Sequence, residues 1–516
     1  MNKGKVYLVG AGPGDPRLIT VRGMQCIEQC TAIVYDRLAS PRLLRYAPDH
    51  VKRVYVGKLP DRHTMKQEDI NQLLVDLALE GHTVTRLKGG DPTIFGRVGE
   101  EAGLLRQHNI PFEIIPGITS AISVPAYAGI PVTHRDHASS LSIITGHESA
   151  DKLDVSIYWD KVTNATGTLL FLMGVAKLEY IASQLMKHGR SSDTPVALVR
   201  WGTTPEQETI VGTLSTIAEQ VADAGFKSPA IIIVGDVVKQ REQLQWYERM
   251  LLFGMRVLVT RARSQASEFA ALIEDLGGEP CEFPVIQVKK SSLPEQVIAI
   301  KQNLLQAQRY DWLVFTSENG VHYFFEWLKQ YKVDIRRFSA AKIAAVGPKT
   351  SEALYERGLI VDHQAARYDA EGLVETLEQF ASAGQRMLLP RGDLARSVLP
   401  EQLRAKGIVA DEISVYETVV AAQQEPLVLE WLKEKHIHMI TFTSSSTVKN
   451  LITVLKQGGI EDPIALLKQY PLASIGPITS ATIREYGLDV TLEAKEATVE
   501  SLTDELVQYR GRLAQQ

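Results

Sequence analysis

Three short stretches in the first half of the chain hold residue types that could do chemistry. VYLVGAGPGDP, residues 6–16, is an apolar strand running into a glycine-rich turn. LKGGDPTIFG, residues 87–96, repeats the pattern with Gly89, Gly90 and Asp91. PGITS, residues 116–120, sets Gly117, Thr119 and Ser120 at a helix start. Glycine turns let a ligand approach the backbone closely, and helix starts offer free N–H donors. In the first turn Gly10 and Gly12 have the spacing of a dinucleotide fingerprint, but the third glycine position is Asp15. A carboxylate there puts negative charge where phosphates would lie, and Pro13 and Pro16 remove two N–H donors. The turn suits close backbone approach to something other than a diphosphate. Asp36 in VYDRL and Lys58 in VYVGKL follow apolar strands, at the strand ends where α/β sheets usually bind ligands. In the second half, TSENGV (316–321) and TSSSTV (443–448) each end a strand in hydroxyl residues and open a helix, a site suited to carboxylates. Singly, each feature is also an ordinary cap or loop charge; their order along the chain is what informs.

The elements that must position these residues are strands alternating with helices nearly throughout, so the fold class is α/β. Strands KVYLVG, AIVYD, VKRVYVG and TVTRLK alternate with helices VRGMQCIEQC, capped by Thr20, and QEDINQLLVDLALEG, stopped at Gly81. A second region runs from PGITSAISVPAYAG through SLSIITG, GTLLFLMG, TPVALVRWG and PAIIIVGDVV. A polar helical stretch, KQREQLQWYERM, precedes a fresh strand, RVLVTRARS, which places a boundary at about residue 254. Beyond it the chain repeats itself. Arg261 recurs as Arg391, 130 residues on; Thr316 recurs as Thr443 after 127, and Gly347 as Gly476 after 129. Two similar α/β units, each a single small sheet, are the expected result.

Composition limits the function classes. The 516 residues are 45% hydrophobic and 23% charged, with net charge −5 and a pI of about 6.2. Nothing in that balance advertises nucleic acid or a membrane, so an acidic substrate must be met by local basic residues. Cys26, Cys30 and Cys281 form neither a disulfide framework nor a zinc pattern. His134, His137, His436 and His438 lack the cysteine or carboxylate spacing that would complete a metal site, so no metal is predicted. The start of the chain reads as a strand without a signal peptide, and no apolar run is long enough to span a bilayer; a cytoplasmic protein is expected.

The ordered set GAGPGDP, VYDRL, VGK, LKGGDPTIFGR, PGITS, GIPVTHRD, FLMGV and RWGT resembles uroporphyrinogen-III C-methyltransferase, over about residues 1–245. One departure is VGKL, where the pattern would carry a further basic residue after the lysine. The resemblance implies a tetrapyrrole methylase fold of two α/β subdomains with S-adenosyl-L-methionine, which has no phosphate, held between them. It implies cofactor contacts at Pro13, Gly89, Gly90, Asp91, Ile94, Thr119, Ser120, Met173, Gly202 and Ala230. An electron-rich pyrrole carbon would attack the sulfonium methyl, and the ring would later lose a proton. Asp36 and Lys58 take the family's proton-acceptor and proton-donor roles, although Asp36 could instead hold the pyrrole N–H groups by hydrogen bonds. Arg37, Arg97 and Arg135 are candidate clamps for the eight substrate carboxylates; Arg97 could equally be a helix-surface charge and Arg37 a structural ion pair. A homodimer through this half is one assembly the resemblance allows.

The repeat, with VLVTRA, LVFTSENGV, AAVGPKT, LLPRGDLAR, VYETV, TFTSSSTV and SIGPITS, resembles uroporphyrinogen-III synthase over about residues 255–510. That implies a two-lobed α/β fold after a linker at 246–254, with the active site in the cleft. One lobe would combine 255–287 with 418–516, and the other would be 288–417. Tyr416 is the candidate for assisting hydroxyl departure from hydroxymethylbilane, and Arg261, Thr316, Ser317, Thr443 and Ser444 for binding carboxylates. The reaction inverts the terminal ring and closes the macrocycle. The whole chain would then make uroporphyrinogen III and methylate it twice to precorrin-2, for sirohaem or cobalamin. Two alternatives stay open: a non-catalytic tetrapyrrole-binding second half, or methylation of a later corrin intermediate.

Overall fold

The computed structural model describes residues 3–48, 50–57, 65–146, 157–260, 263–420 and 426–513. Lys58 and Arg261 lie outside the described residues. Four sheets organise the chain, two before residue 254 and two after it.

The first sheet is wholly parallel, in the spatial order Lys52–Tyr55, Ala32–Tyr35, Thr83–Lys88, Lys5–Gly10, Phe112–Ile115. Strand side chains alternate between faces. Val6, Leu8 and Val34 therefore pack under helix Gln67–Leu79, while Val9 and Ile33 pack under helix Val21–Glu28. Cys26 and Cys30 are buried in this second layer, where burial pushes the Cys30 thiol up to about 11. They serve as small apolar groups. Every strand of a parallel sheet points the same way, so all five strand ends, and the turns after them, emerge on one edge. The second sheet runs Leu141–Thr145, Thr168–Leu172, Ala230–Val234, Pro195–Arg200, Glu208–Thr213, antiparallel except for its first pair. Thr168–Leu172 and Ala230–Val234 are buried along their whole length and read as continuous apolar runs. Helix Ser120–Tyr127, which follows the last strand of the first sheet, lays Ala121 and Val124 on the second and so couples the two. The stretch after Lys239, read as one polar helix, is broken into a four-residue helix at Arg241–Leu244 and short turns at Asp236–Gln240 and Tyr247–Arg249.

The third sheet is Glu279–Glu282, Arg256–Val259, Met439–Phe442, Leu472–Ser474, Leu492–Glu493. The fourth is Ile286–Lys290, Val409–Val420, Arg386–Gly392, Trp312–Phe315, Lys342–Ala345, His363–Gln364. Apart from the antiparallel Ile286–Lys290, the fourth repeats the third in parallel pairing and spatial order. The sequence copies are therefore interleaved: each lobe takes the first two strands of one copy and the last three of the other. Ion pairs join the synthase-like region to the first half: Arg17 to Asp275 (3.4 Å), Arg256 to Glu206 (2.9 Å), Arg42 to Glu274 and Arg45 to Glu282. No helix among the described residues is long and apolar enough to cross a membrane.

Candidate active sites

Strands Thr83–Lys88, Lys5–Gly10 and Phe112–Ile115 are neighbours, so the three glycine turns that follow them meet. Gly12 and Gly90 both have left-handed backbones, φ +78° and +70°, and exchange hydrogen bonds: Gly90 N–H to Gly12 O at 2.7 Å, Gly12 N–H to Gly90 O at 3.2 Å. Glycine adopts this geometry without the cost other residues meet. A Cβ on Gly10 would lie 2.5 Å from Gly117 Cα, and one on Gly117 would press into the Gly90 carbonyl. The three turns are thus one unit that excludes side chains at its centre.

Asp91 locks that unit. Its Oδ2 accepts from Gly117 N–H at 2.9 Å, and its Oδ1 from Thr93 N–H at 2.7 Å and Thr93 Oγ at 2.5 Å. The buried carboxylate is spent on the turns themselves, so it shapes the cradle. Asp15, read as charge facing the ligand, is likewise turned inward: Tyr127 Oη donates to it at 2.8 Å and Arg17 N–H at 2.9 Å. Ile94 closes the Asp91 turn, donating to Asp91 O at 3.3 Å. Thr119 caps helix Ser120–Tyr127, accepting from Ala121 N–H at 3.3 Å.

The second sheet supplies a wall. Pro13 leads into Gly14, where a Cβ would meet Thr203 Oγ at 2.8 Å, and Asp15 N–H donates to that hydroxyl at 3.1 Å. Gly202 has no room for a side chain against Val124. Ala230 pairs with Arg200, and Met173 stands one residue beyond the Leu172–Ile231 pair, so Met173, Gly202 and Ala230 share one end of this sheet. Met173, Trp201 and Thr203 all have positive φ, 57°, 46° and 68°, a clustering of backbone strain typical of ligand sites. Met173 is 52% exposed. Arg37, from the end of strand Ala32–Tyr35, stacks on Trp201 at 5.2 Å and spans the two sheets. That is a cation–π contact in place of the ion pair weighed above. Asp36 beside it accepts from Leu38 N–H at 3.1 Å and Arg86 Nη2 at 3.0 Å. Arg97 is not gathered with these residues in the same way: it is exposed and forms a fork to Glu100, both contacts at 2.7 Å. Arg135 is exposed in the turn bridged by His134 and Ala138. Of the histidines, His438 accepts from Arg256 N–H at 2.9 Å and His436 faces Glu206 at 3.4 Å.

In the repeat, Ser317 and Ser444 occupy matching places. Each is extended and caps its helix, accepting from Gly320 N–H at 3.0 Å and Thr447 N–H at 3.4 Å respectively. Thr316 and Thr443 precede them, both half-buried. Tyr416 Oη lies 3.2 Å from Ser317 Oγ, so these two are brought together, while Thr443 and Ser444 stand on the other lobe. The register of strand Arg386–Gly392 shifts at Gly392, and a Cβ there would meet the Tyr416 ring at 2.5 Å. Gly392 was not singled out from the sequence; its signal is a glycine ending a strand beside the tyrosine strand. Arg391, the counterpart of Arg261, is buried and pairs with Glu412 at 2.8 Å.

A glycine-lined cradle between two α/β subdomains, joined to a two-lobed repeat, defines a two-module α/β protein with a candidate ligand cradle in its first module. The model for Tetrapyrrole (Corrin/Porphyrin) Methylases matches residues 5–218, and that for Uroporphyrinogen-III synthase HemD matches residues 267–504. The chain is similar to the porphyrin biosynthesis protein HemD of Ruminiclostridium josui, 37% identical over 511 residues, covering 99% of both. It is 36% identical to a uroporphyrinogen-III C-methyltransferase of Bacillus subtilis (strain 168) over 497 residues, 96% of both. Its first half is 54% identical to the uroporphyrinogen-III C-methyltransferase of Priestia megaterium over 235 residues, 46% of this chain and 98% of that protein. The chain belongs to this family, in which a tetrapyrrole methylase is followed by a uroporphyrinogen-III synthase module.

Gly117→Ala should open the cradle. Calorimetry with S-adenosylhomocysteine is expected to show affinity lowered by about tenfold or more, the scale of an overpacking cost of 1–3 kcal/mol. Unchanged affinity would remove the three-turn contact from the ligand site.

Proposed function

We propose that the chain is a bifunctional enzyme of tetrapyrrole synthesis, with uroporphyrinogen-III C-methyltransferase activity in 1–245 and uroporphyrinogen-III synthase activity in 255–516. The observation that carries the reading is the fused cradle of Gly10, Gly12, Gly90 and Gly117, set in a chain whose relatives match both modules end to end. The cradle suits S-adenosyl-L-methionine: it offers peptide groups at close range, and Pro13 and Pro16 remove two of the N–H donors a diphosphate would use. Pro13, Gly89, Gly90, Ile94, Thr119 and Ser120 would hold it from one side, with the Asp91 carboxylate fastening the turns behind them, and Met173, Gly202 and Ala230 from the other. When bound, this group supplies the electrophilic methyl. Asp36 holds the pyrrole N–H groups or takes the proton the ring loses, with Lys58 as its partner, and Arg37 meets a substrate carboxylate. Orientation of the two partners supplies most of the acceleration.

In the second module, the capped helix starts at Ser317 and Ser444 bind carboxylates of hydroxymethylbilane, and Tyr416 donates a hydrogen bond to the departing hydroxyl. The hydroxyl leaves with a proton as water, the terminal ring attacks the resulting cation and inverts, and closure of the macrocycle releases one ring proton, so the net change is loss of one water. The product is the substrate of the first module, whose double methylation gives precorrin-2. A cytoplasmic location and a homodimer through the methyltransferase half belong to the same reading; Ile114, Ile118 and Ile122 in that half are 39%, 39% and 47% exposed.

The test supplies hydroxymethylbilane and methyl donor to the full chain with no other synthase. Dimethylated isomer III product is expected. Formation of the uncatalysed isomer I alone would leave the second module as a binding domain. Tyr416→Phe, and Gly392→Ala acting on the same ring, should slow ring closure and leave methylation of added uroporphyrinogen III unchanged; a wild-type synthase rate in both would take Tyr416 out of the mechanism.

A further inference from the structure

Behind Asp36 lies a buried charge cluster that the chemistry above does not use. Arg86 and Lys88 are alternate residues of strand Thr83–Lys88, 4% and 6% exposed. Glu101, on helix Val98–Gln107, is fully buried against them. Its Oε1 accepts from Lys88 Nζ at 2.6 Å, Gln67 Nε2 at 3.2 Å and Arg86 Nε at 3.4 Å. Its Oε2 has no hydrogen-bond partner among the described residues. The guanidinium of Arg86 also donates from Nη1 to Leu87 O at 3.0 Å and Val34 O at 3.5 Å. From Nη2 it reaches Asp36 Oδ2 at 3.0 Å. Asp36 is 26% exposed, so the chain of contacts runs from a dry interior to the open strand edge.

Buried ions cost several kcal/mol each, and well-packed apolar residues often replace such networks without loss of stability. A cluster kept under that cost, with one arm ending on a residue at the substrate edge, has a use beyond packing. We propose that Arg86 is a positioning residue for methyl transfer: its Nη2 donor holds the Asp36 carboxylate in one orientation, while Glu101 holds Arg86. The inference rests on the reading that Asp36 meets the tetrapyrrole. Among the described residues, other charged or titratable groups near Asp36 are Arg37, Tyr55 and Lys88, and burial holds the Lys88 ammonium below the usual lysine range. Arg86 donates to the Asp36 carboxylate directly.

The test uses the full chain with Arg86→Gln, Arg86→Lys and Asp36→Asn, and each Arg86 variant combined with Asp36→Asn. Methylation of uroporphyrinogen III is followed against its concentration to separate kcat from KM, and S-adenosylhomocysteine affinity reports that the module is folded. In Arg86→Gln, kcat/KM for uroporphyrinogen III is expected to fall by up to about a hundredfold, the scale of a small misplacement of a reacting group. The loss should fall mainly on kcat, as for an interaction that orients a reacting group in the transition state. Affinity for S-adenosylhomocysteine should hold. Arg86→Lys keeps the charge but not the guanidinium geometry, so it should lose less; it carries the test if Arg86→Gln does not fold. Neither variant should cost anything further in the Asp36→Asn background. A full additional loss there, or a loss carried by KM alone, overturns the inference while leaving Asp36 in place. Wild-type kcat/KM in Asp36→Asn alone would instead sink the reading of Asp36, and the inference with it.

Discussion

The first module depends on one steric constraint: three strand ends approach so closely that only glycine fits between them. Parallel pairing brings Thr83–Lys88, Lys5–Gly10 and Phe112–Ile115 to a common edge, and the Gly12–Gly90 hydrogen bonds and the Asp91 carboxylate fasten the turns. With side chains excluded, the surface left to a ligand is backbone, rigid and rich in N–H and C=O groups. Such a surface favours a ligand recognised by shape and peptide hydrogen bonds. Arg37 and Asp36, standing just outside it, provide charge at the rim.

The second module reaches a related solution by duplication. Interleaving the two copies puts one capped strand end on each lobe, Ser317 on one and Ser444 on the other, in nearly the same backbone conformation. The pseudo-symmetry breaks at Tyr416. The residue 130 positions earlier is Ile286, so the phenol is present on one side alone, next to Ser317 and with Gly392 making room for its ring. A matched pair of capped helix starts with a phenol beside only one of them makes the two lobes chemically unequal. Pairs such as Arg42–Glu274 and Arg45–Glu282 fasten this module beside the Asp15–Arg17 turn.

Much of this was legible in the chain. Glycines after apolar runs marked the cradle because no other residue tolerates left-handed turns in close contact, and Ser or Thr before a helix marked the caps for an equally local reason. What escaped is what depends on pairs distant in sequence. Asp91 and Asp15 read as charges offered to a ligand; their partners, Gly117 and Tyr127, lie 26 and 112 residues away and turn them inward. Arg86, Lys88 and Glu101 looked like strand and helix polar positions, since burial of a charge cannot be seen until its counter-charge is placed. The Arg37–Trp201 stack required the docking of two sheets.

Hydrogen–deuterium exchange on the full chain, with and without S-adenosylhomocysteine, tests most directly whether the three turns act as one ligand cradle. The account predicts that amides in residues 10–14, 89–91 and 117–120 gain protection together on ligand addition, with the 201–204 turn following and the two Ser-capped helices of the second module unaffected. Protection confined to one of the three turns, or appearing only in the second module, would contradict it.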